Sequence, residues 1–506
     1  MDRALGFTLA VEFESEQHRD RRSVDVSVTV RADESGADAP AGAASRPHAG
    51  FAEVILVDQS GSMSDPITKH HMAKKAAAAA VDLLEDGVLF AVVQGTAVAR
   101  MIYPSGKTLA VADERTRAAA KEAVGRLTKG TSGTIIGSWL DLARQLLEPH
   151  GDRVRHVTLL TDGRNQHQKL ATRTLDQVLT DCRGVFTCDT RGIGDDWDPD
   201  ELRRIADRLQ GTNDSVPDLG DLERELTDVV RGAARRKVPK AALRVRCMPH
   251  VSVTVLEQSY PAIADLAAHP VAVPGTTVVD FPTAPWSSEE RWYVLSLAVD
   301  REPAAEGTTD LLAAIEVVTG AIGTPEAEPA TDVAPVEVRW MDIPAPGTML
   351  NPGLRRHRDE KRLRELRQRG GMLFRRGDVT GAQRAWGEAV RLATDLRNED
   401  ALARLRRVVR IDDGPAGRVS VLPGLAIEYV YNVMMGDTTS TWAGRLPIGA
   451  SPASAPGEAP EPLDSPAAEA TGPALTCPRC GRIAMPGSGF CENRECDYVF
   501  TGSEAR

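Results

Sequence analysis

What this chain has little of narrows its range first. No apolar run in its 506 residues reaches the length that spans a bilayer. The opening stretch MDRALGFTLAVEFESEQ lacks the basic-then-apolar order of a secretory signal, so a cytoplasmic protein without a membrane partner is expected. Positive charge is in deficit: 61 Lys and Arg stand against 72 Asp and Glu, a net charge of −11. That balance argues against a chain-wide role in coating nucleic acid or anionic membrane. Cysteine is scarce, seven in all, four of them gathered near the C-terminus. Such usage suits a reducing compartment and a metal site better than disulfides. No Gly-x4-Gly-Lys-[Ser/Thr] loop occurs, so the chain has no such cradle for a nucleotide's phosphates. At this length two to four domains are expected.

What is present centres on residues 51–69, FAEVILVDQSGSMSDPITK. The run Val54-Ile55-Leu56-Val57 reads as a buried strand of a parallel sheet, delivering Asp58, Ser60 and Ser62 into a turn loosened by Gly61. Three oxygen-bearing side chains at alternate positions, on a loop leaving the carboxyl end of a buried strand, make a hard-cation site. One carboxylate and two neutral hydroxyls leave a divalent ion under-neutralised, and so open to an anionic ligand from outside. Taken alone, Asp58 and the serines would serve equally as caps for the helical run MAKKAAAAAVDLL that follows. Two later stretches tip the balance towards an ion. In TKGTSGTIIGSWLDLARQLL, Thr131 and Thr134 sit in a Gly-rich loop before a helix; in HVTLLTDGRNQ, a second buried strand ends in Thr161-Asp162-Gly163. His70 and His71 open the first helix beside this loop and are expected on its solvated face, since a hard cation prefers oxygen.

The remaining chain divides by pattern. Residues 1–32 carry period-two alternation, Phe7, Leu9, Val11 and Phe13 and then Val24, Val26, Val28 and Val30, which predicts two half-buried strands. Two strands alone are unstable, so they are expected to pair with the later β domain, across a linker at 33–50. Residues 51–236 alternate strand and helix in the manner of a parallel α/β sheet, with Cys182 and Cys188 as core thiols. Residues 237–345 return to short strands with Pro/Gly punctuation, a β-sandwich pattern. The α/β domain is thus expected to be inserted in that sandwich, with its metal end far from the junction. Residues 354–412 read as a helical hairpin docked on the sandwich. Its basic cluster of Arg355, Arg356, Arg358, Lys361, Arg362 and Arg364 is interleaved with acids, as on a solvated face. A β segment is expected at 413–442, centred on LAIEYVYNVM, and a flexible linker at 443–475. At 476–500, Cys477-x2-Cys480 and Cys491-x4-Cys496 can bring four thiolates to one ion, a set that selects Zn2+.

Asp58-x-Ser60-x-Ser62, the Gly133-Thr134 loop and Asp162 resemble the metal-ion-dependent adhesion site of the von Willebrand factor type A family. The resemblance implies a doubly wound α/β domain that holds Mg2+ (or Mn2+) and captures an Asp or Glu carboxylate of a protein partner. Carried over by position, Ser60, Ser62 and Thr134 would be direct ligands, with Thr131 the alternative threonine. Asp58 and Asp162 would act largely through water or hydrogen bonds. The C-terminal cysteines look like a zinc ribbon, which binds protein or nucleic acid; with no basic run around it, protein is favoured. Gly370, Leu373, Ala382, Trp386 and Ala389 stand at tetratricopeptide-like positions, covering one repeat. The order of parts, with DGVLFAVVQGTAVA, LLTDGRN and FTCDTRGIG, is similar to bacterial cytoplasmic proteins of this family associated with tellurite resistance. These are found with Ser/Thr kinases and phosphatases, which implies a non-enzymatic scaffold or adaptor in a stress or signalling system. The alternative is a subunit that recruits clients to a separate AAA+ ATPase of the MoxR or chelatase kind. A metal-dependent hydrolase fares worst, because the motifs offer no His or second acidic cluster as general base.

Overall fold

A computed structural model describes residues 5–34, 50–64, 67–128, 133–165, 172–300, 305–343 and 352–435, and the backbone at 475–476 and 483–484. Thr131, most of the 33–50 linker, residues 443–474 of the second linker and the four C-terminal cysteines lie outside the described residues. The alternation near the N-terminus becomes β1 (Gly6–Phe13), β2 (Glu16–His18) and β3 (Ser23–Asp33). Val24, Val26, Val28 and Val30 all point into a core.

The next strand, β4 (Phe51–Asp58), is buried at all eight positions, as befits a strand covered on both faces. After it come α1 (Ile67–Asp82), β5 (Leu89–Gly95), β6 (Arg100–Tyr103), β7 (Ala110–Val111), α2 (Glu114–Gly125) and α3 (Ile136–Leu147). Then follow β8 (Val154–Thr161), α4 (Leu175–Cys182), β9 (Thr187–Ile193), α5 (Pro199–Arg208), β10 (Asn213–Val216) and α6 (Leu222–Ala234). The sheet order is β10-β9-β8-β4-β5-β6, with β7 paired to β5; β6 and β7 run antiparallel and the rest parallel. From β4 the chain builds outward to β6, then returns to lay β8 on the other flank. The strand order therefore reverses between β4 and β8, and a crevice opens at their carboxyl ends, where open α/β sheets bind ligands. Helices α3, α4 and α5 cover one face, and α1, α2 and α6 the other.

Beyond residue 240 the chain is β again: β11 (Ala241–Cys247), β12 (Val251–Tyr260), β13 (Ala264–Asp265), β14 (Val271–Ala272), β15 (Val278–Thr283), β16 (Glu289–Val299), β17 (Thr309–Thr319), β18 (Glu328–Pro329) and β19 (Ala334–Met341). Two sheets share one apolar core, β1-β3-β16-β12-β13 and β14-β15-β11-β17-β19-β2, with β18 on β17. The N-terminal strands thus belong to sheets completed more than 200 residues later, β3 pairing β16 along ten residues.

The last described part holds α7 (Pro352–Arg375), α8 (Val379–Asp395), α9 (Glu399–Leu405), β20 (Val409–Asp413), β21 (Arg418–Val421) and α10 (Ile427–Met434). Two expectations need correction. The segment LAIEYVYNVM is helical over 427–434 rather than a strand. Its β-branched and aromatic content favours a strand, but Val430, Tyr431, Val433 and Met434 form a helical stripe that packs on α7 and α9. The helices also do not rest on the β sheets alone. At its start α7 meets β12 through His357 and Lys361 on Glu257, and Arg356 lies over Trp292. Its apolar face joins the α/β core, where Leu363, Leu366 and Trp386 are continuous with Trp139 and Trp197. Among the described residues no helix is long and apolar enough to cross a membrane.

Candidate metal centre

The carboxyl end of β4 places Asp58 at zero exposure, with a 3-10 turn over Gly61–Ser64 directly after it. Oδ1 of Asp58 accepts the Ser60 amide at 2.7 Å, which curls the loop back over the strand end. Its other oxygen, Oδ2, accepts the hydroxyl of Thr161, the last residue of β8. The Ser60 and Ser62 hydroxyls are 3.0 Å apart, and Ser62 donates to Asp162 Oδ1 at 2.8 Å. Thr134, 3% exposed, leads into α3. That loop is pinned from two sides: the Ile136 amide donates to Asn165 Oδ1 at 3.0 Å, and Trp139 Nε1 donates to the Thr96 carbonyl at 2.6 Å.

These loops meet at one point. A Cβ added to Gly163 would stand 3.0 Å from Thr134 Oγ1, 3.3 Å from Ser62 Oγ and 3.4 Å from Asp58 Oδ2. Only a residue without a side chain leaves that space to the three oxygens. Ser60 and Asp162 stand one hydrogen bond away. So Asp58, Ser60, Ser62, Thr134 and Asp162 lie around one cradle, while Thr131, the alternative threonine, lies outside the described residues.

The charge state of the cradle favours a cation. Burial pushes the Asp58 carboxyl upward against four hydrogen bonds that favour its ionised form. Burial, then the charge of Asp58, pushes Asp162 up to about 7. Two carboxyls held this dry are only partly offset by the Lys69 ammonium, 3.2 Å from Asp162 Oδ2, and hydroxyl and carboxylate oxygens are the donors that Mg2+ and Mn2+ take. Among the described residues no three His, Cys, Asp or Glu side chains gather as a metal cluster, so the hydroxyls have to complete this set. The residues present fit a small hard ion.

Several neighbours have no signature of their own in the sequence. Lys69, 5% exposed, reaches Asp162 Oδ2 at 3.2 Å. His70 is likewise buried rather than solvated, with Nε2 3.2 Å from the Leu127 carbonyl, while His71 is exposed. The signal for both lies in α1 itself: Lys69 and His70 head the stripe Ala73, Ala76, Ala77 and Ala80 that faces the sheet. Cys182 and Cys188 are buried and unpaired. Burial pushes the Cys182 thiol up to about 12 and Cys188 well above its usual value, which keeps both as thiols. The cysteines expected to hold zinc lie outside the described residues. Among their neighbours, Leu475–Thr476 pairs antiparallel with Ile483–Ala484.

Lower in the same sheet His156 lies fully buried between two carboxylates, Nδ1 2.6 Å from Glu53 Oε2 and Nε2 3.0 Å from Asp189 Oδ2. It ties β4, β8 and β9 together. With zero exposure it has no access to a substrate.

Comparison with known proteins identifies the fold. A family model described as von Willebrand factor type A domain matches residues 53–214. The solved von Willebrand factor type A protein from Catenulispora acidiphila is 30% identical, with a TM-score of 0.75 over 86% of this chain and 97% of that one. An uncharacterized protein of Synechocystis, sll0103, is 26% identical over 306 residues, 55% of this chain and 68% of its own. The ArnB paralog VWA2 of Sulfolobus acidocaldarius shares the fold at 14% identity, with a TM-score of 0.51 over 86% of this chain and 99% of that one. The chain belongs to the von Willebrand factor type A family.

Proposed function

We propose that this protein is a non-enzymatic adaptor whose α/β domain grips a carboxylate of a partner protein through a divalent ion. The observation that carries the reading is the convergence of Asp58, Ser62 and Thr134 on the space beside Gly163. When bound, Mg2+ or Mn2+ would supply an electrophilic position open to an Asp or Glu oxygen. Ser60, Ser62 and Thr134 would offer neutral oxygens to it, with Asp58 and Asp162 supplying the negative charge. Thr161 and Asn165 hold the loops in register. The C-terminal Cys477, Cys480, Cys491 and Cys496 would form a second module on zinc, for protein contact. On the resemblance of its parts, the partner belongs to a cytoplasmic phosphorylation-linked stress or signalling system of a bacterium.

The test is capture from source lysate in magnesium and in chelator, with the captured partner identified. Asp58→Ala should abolish the magnesium-dependent capture and keep the fold, and Thr134→Ala should weaken capture more than Thr131→Ala. Equal capture of that partner in magnesium and chelator would contradict the reading.

A further inference from the structure

Among the described residues of the centre, Lys69 is a cationic side chain that the ion-ligand set does not use. Lys69 stands in the first turn of α1 with 6% of its side chain exposed. Its Nζ lies 3.2 Å from Asp162 Oδ2 and 4.0 Å from Asp196 Oδ2. The surroundings are shaped to it. Gly194, at φ +66°, faces its stem, and a Cβ there would come within 2.9 Å of Lys69 Cε and 3.1 Å of Nζ. Asp162 is therefore shared, one oxygen taking the Ser62 hydroxyl and the other the ammonium. Among the described residues, Asp58, Asp162 and Asp196 with Lys69 carry a net charge of −2 when ionised, and would carry −3 without the ammonium. A divalent ion would bring that charge to zero, whereas without Lys69 it would stay at −1 and oppose an incoming anion. In surroundings this buried, repulsion between an ammonium and an ion is weakly screened.

We propose that Lys69 makes ion binding conditional on an anionic ligand. The ammonium is a resident counter-charge that keeps affinity for the bare ion low. A carboxylate from outside offsets the ammonium's repulsion, and the ion is then held more firmly. This inference rests on the reading of the five residues as an ion site and names how that site is regulated: ion and partner bind together. By linkage, the factor by which a carboxylate tightens the ion equals the factor by which the ion tightens the carboxylate. Without Lys69 the bare ion would bind well and the partner's carboxylate would add little.

The experiment is Mn2+ titration of the full chain, followed by paramagnetic resonance, with and without acetate as the carboxylate probe. Wild type should bind Mn2+ weakly alone and more tightly in acetate. Lys69→Met, which keeps the stem and removes the charge, should bind Mn2+ alone about tenfold more tightly or better, by the Coulomb repulsion it removes. Its response to acetate should shrink towards none. In chelator the variant should melt below wild type, with Mn2+ restoring it. A folded Lys69→Met whose Mn2+ affinity is unchanged or weaker overturns this inference and leaves the ion site standing. Should that variant not fold, wild type decides alone: Mn2+ affinity indifferent to acetate overturns the inference. Absence of Mn2+ binding from both proteins overturns the inference and the ion-site reading together.

Discussion

Raising the pH above neutrality should loosen this protein through His156. Burial alone would lower the pKa of that imidazole, but the charges of Glu53 and then Asp189, with their hydrogen bonds, lift it from 6.5 to about 9. Burial works against Asp189 too, yet the imidazolium holds its carboxyl well below the usual range. Because the His156 value is raised on folding, its contribution is complete below pH 6.5 and is lost as pH rises through about 9. A rise of ~2.5 units at ~1.4 kcal/mol per unit amounts to ~3 kcal/mol, a large part of a domain's stability. The assay is urea unfolding at pH values between about 6 and 9.5, where the linkage acts. Saturating magnesium should be present, since metal-free Asp162, pushed up to about 7, would add a fall of the same sign. In the Glu53→Gln, Asp189→Asn variant burial is left as the main influence on His156, and the fall should vanish or reverse. Wild-type stability that is flat or rising above neutral pH would refute the argument.

Other perturbations reach different parts of the account. Arg404 of α9 clamps buried Asp214 of β10 with two hydrogen bonds, 2.9 and 2.6 Å, so Arg404→Ala leaves that carboxylate with the Ser215 amide and Asn432 as donors and should cost ~3–5 kcal/mol of urea stability. A loss below ~1 kcal/mol, the scale of a surface pair, would show that the helices are not anchored there. Gly163→Ala puts a methyl group 3.0 Å from Thr134 Oγ1 and should abolish Mn2+ binding while the chelator melting point stays within a few degrees of wild type. Unchanged Mn2+ affinity would place the ion elsewhere. Purified protein should carry about one zinc ion, by the stoichiometry of four-cysteine sites. Cys477→Ser with Cys480→Ser should lose that zinc without moving the main melting transition, and a shared transition would rule out a separate module.

How much of this is readable in advance depends on whether the cause is local. β4 closes on the apolar run Val54–Val57 before Asp58, and β8 on Leu159-Leu160 before Thr161-Asp162, so strand, depth and exit point follow from adjacent residues. Period two in β1 and β3 likewise names their buried faces, and their lack of a local partner points to strands far along the chain. β10 is different. Its sequence Asn213-Asp214-Ser215-Val216 is mostly polar yet buried throughout, because Arg404 and Asn432 arrive from α9 and α10 to satisfy Asp214. No window around residue 214 contains that information. The helix at 427–434 has the same origin, since its strand-like composition is overruled by the surfaces that receive it. Lys69 and His70 fall in between. Residue type says solvent, whereas the alanine stripe they head says sheet, and in α1 the stripe prevails.

The account stands on five oxygen-bearing side chains holding one divalent ion. Mn2+ titration of wild type and Asp58→Ala in acetate, read by paramagnetic resonance, tests this most directly. One Mn2+ per chain in wild type, displaced by Mg2+ and lost in Asp58→Ala with the fold retained, is the result the geometry predicts. Mn2+ bound equally by both proteins, or by neither, would contradict it.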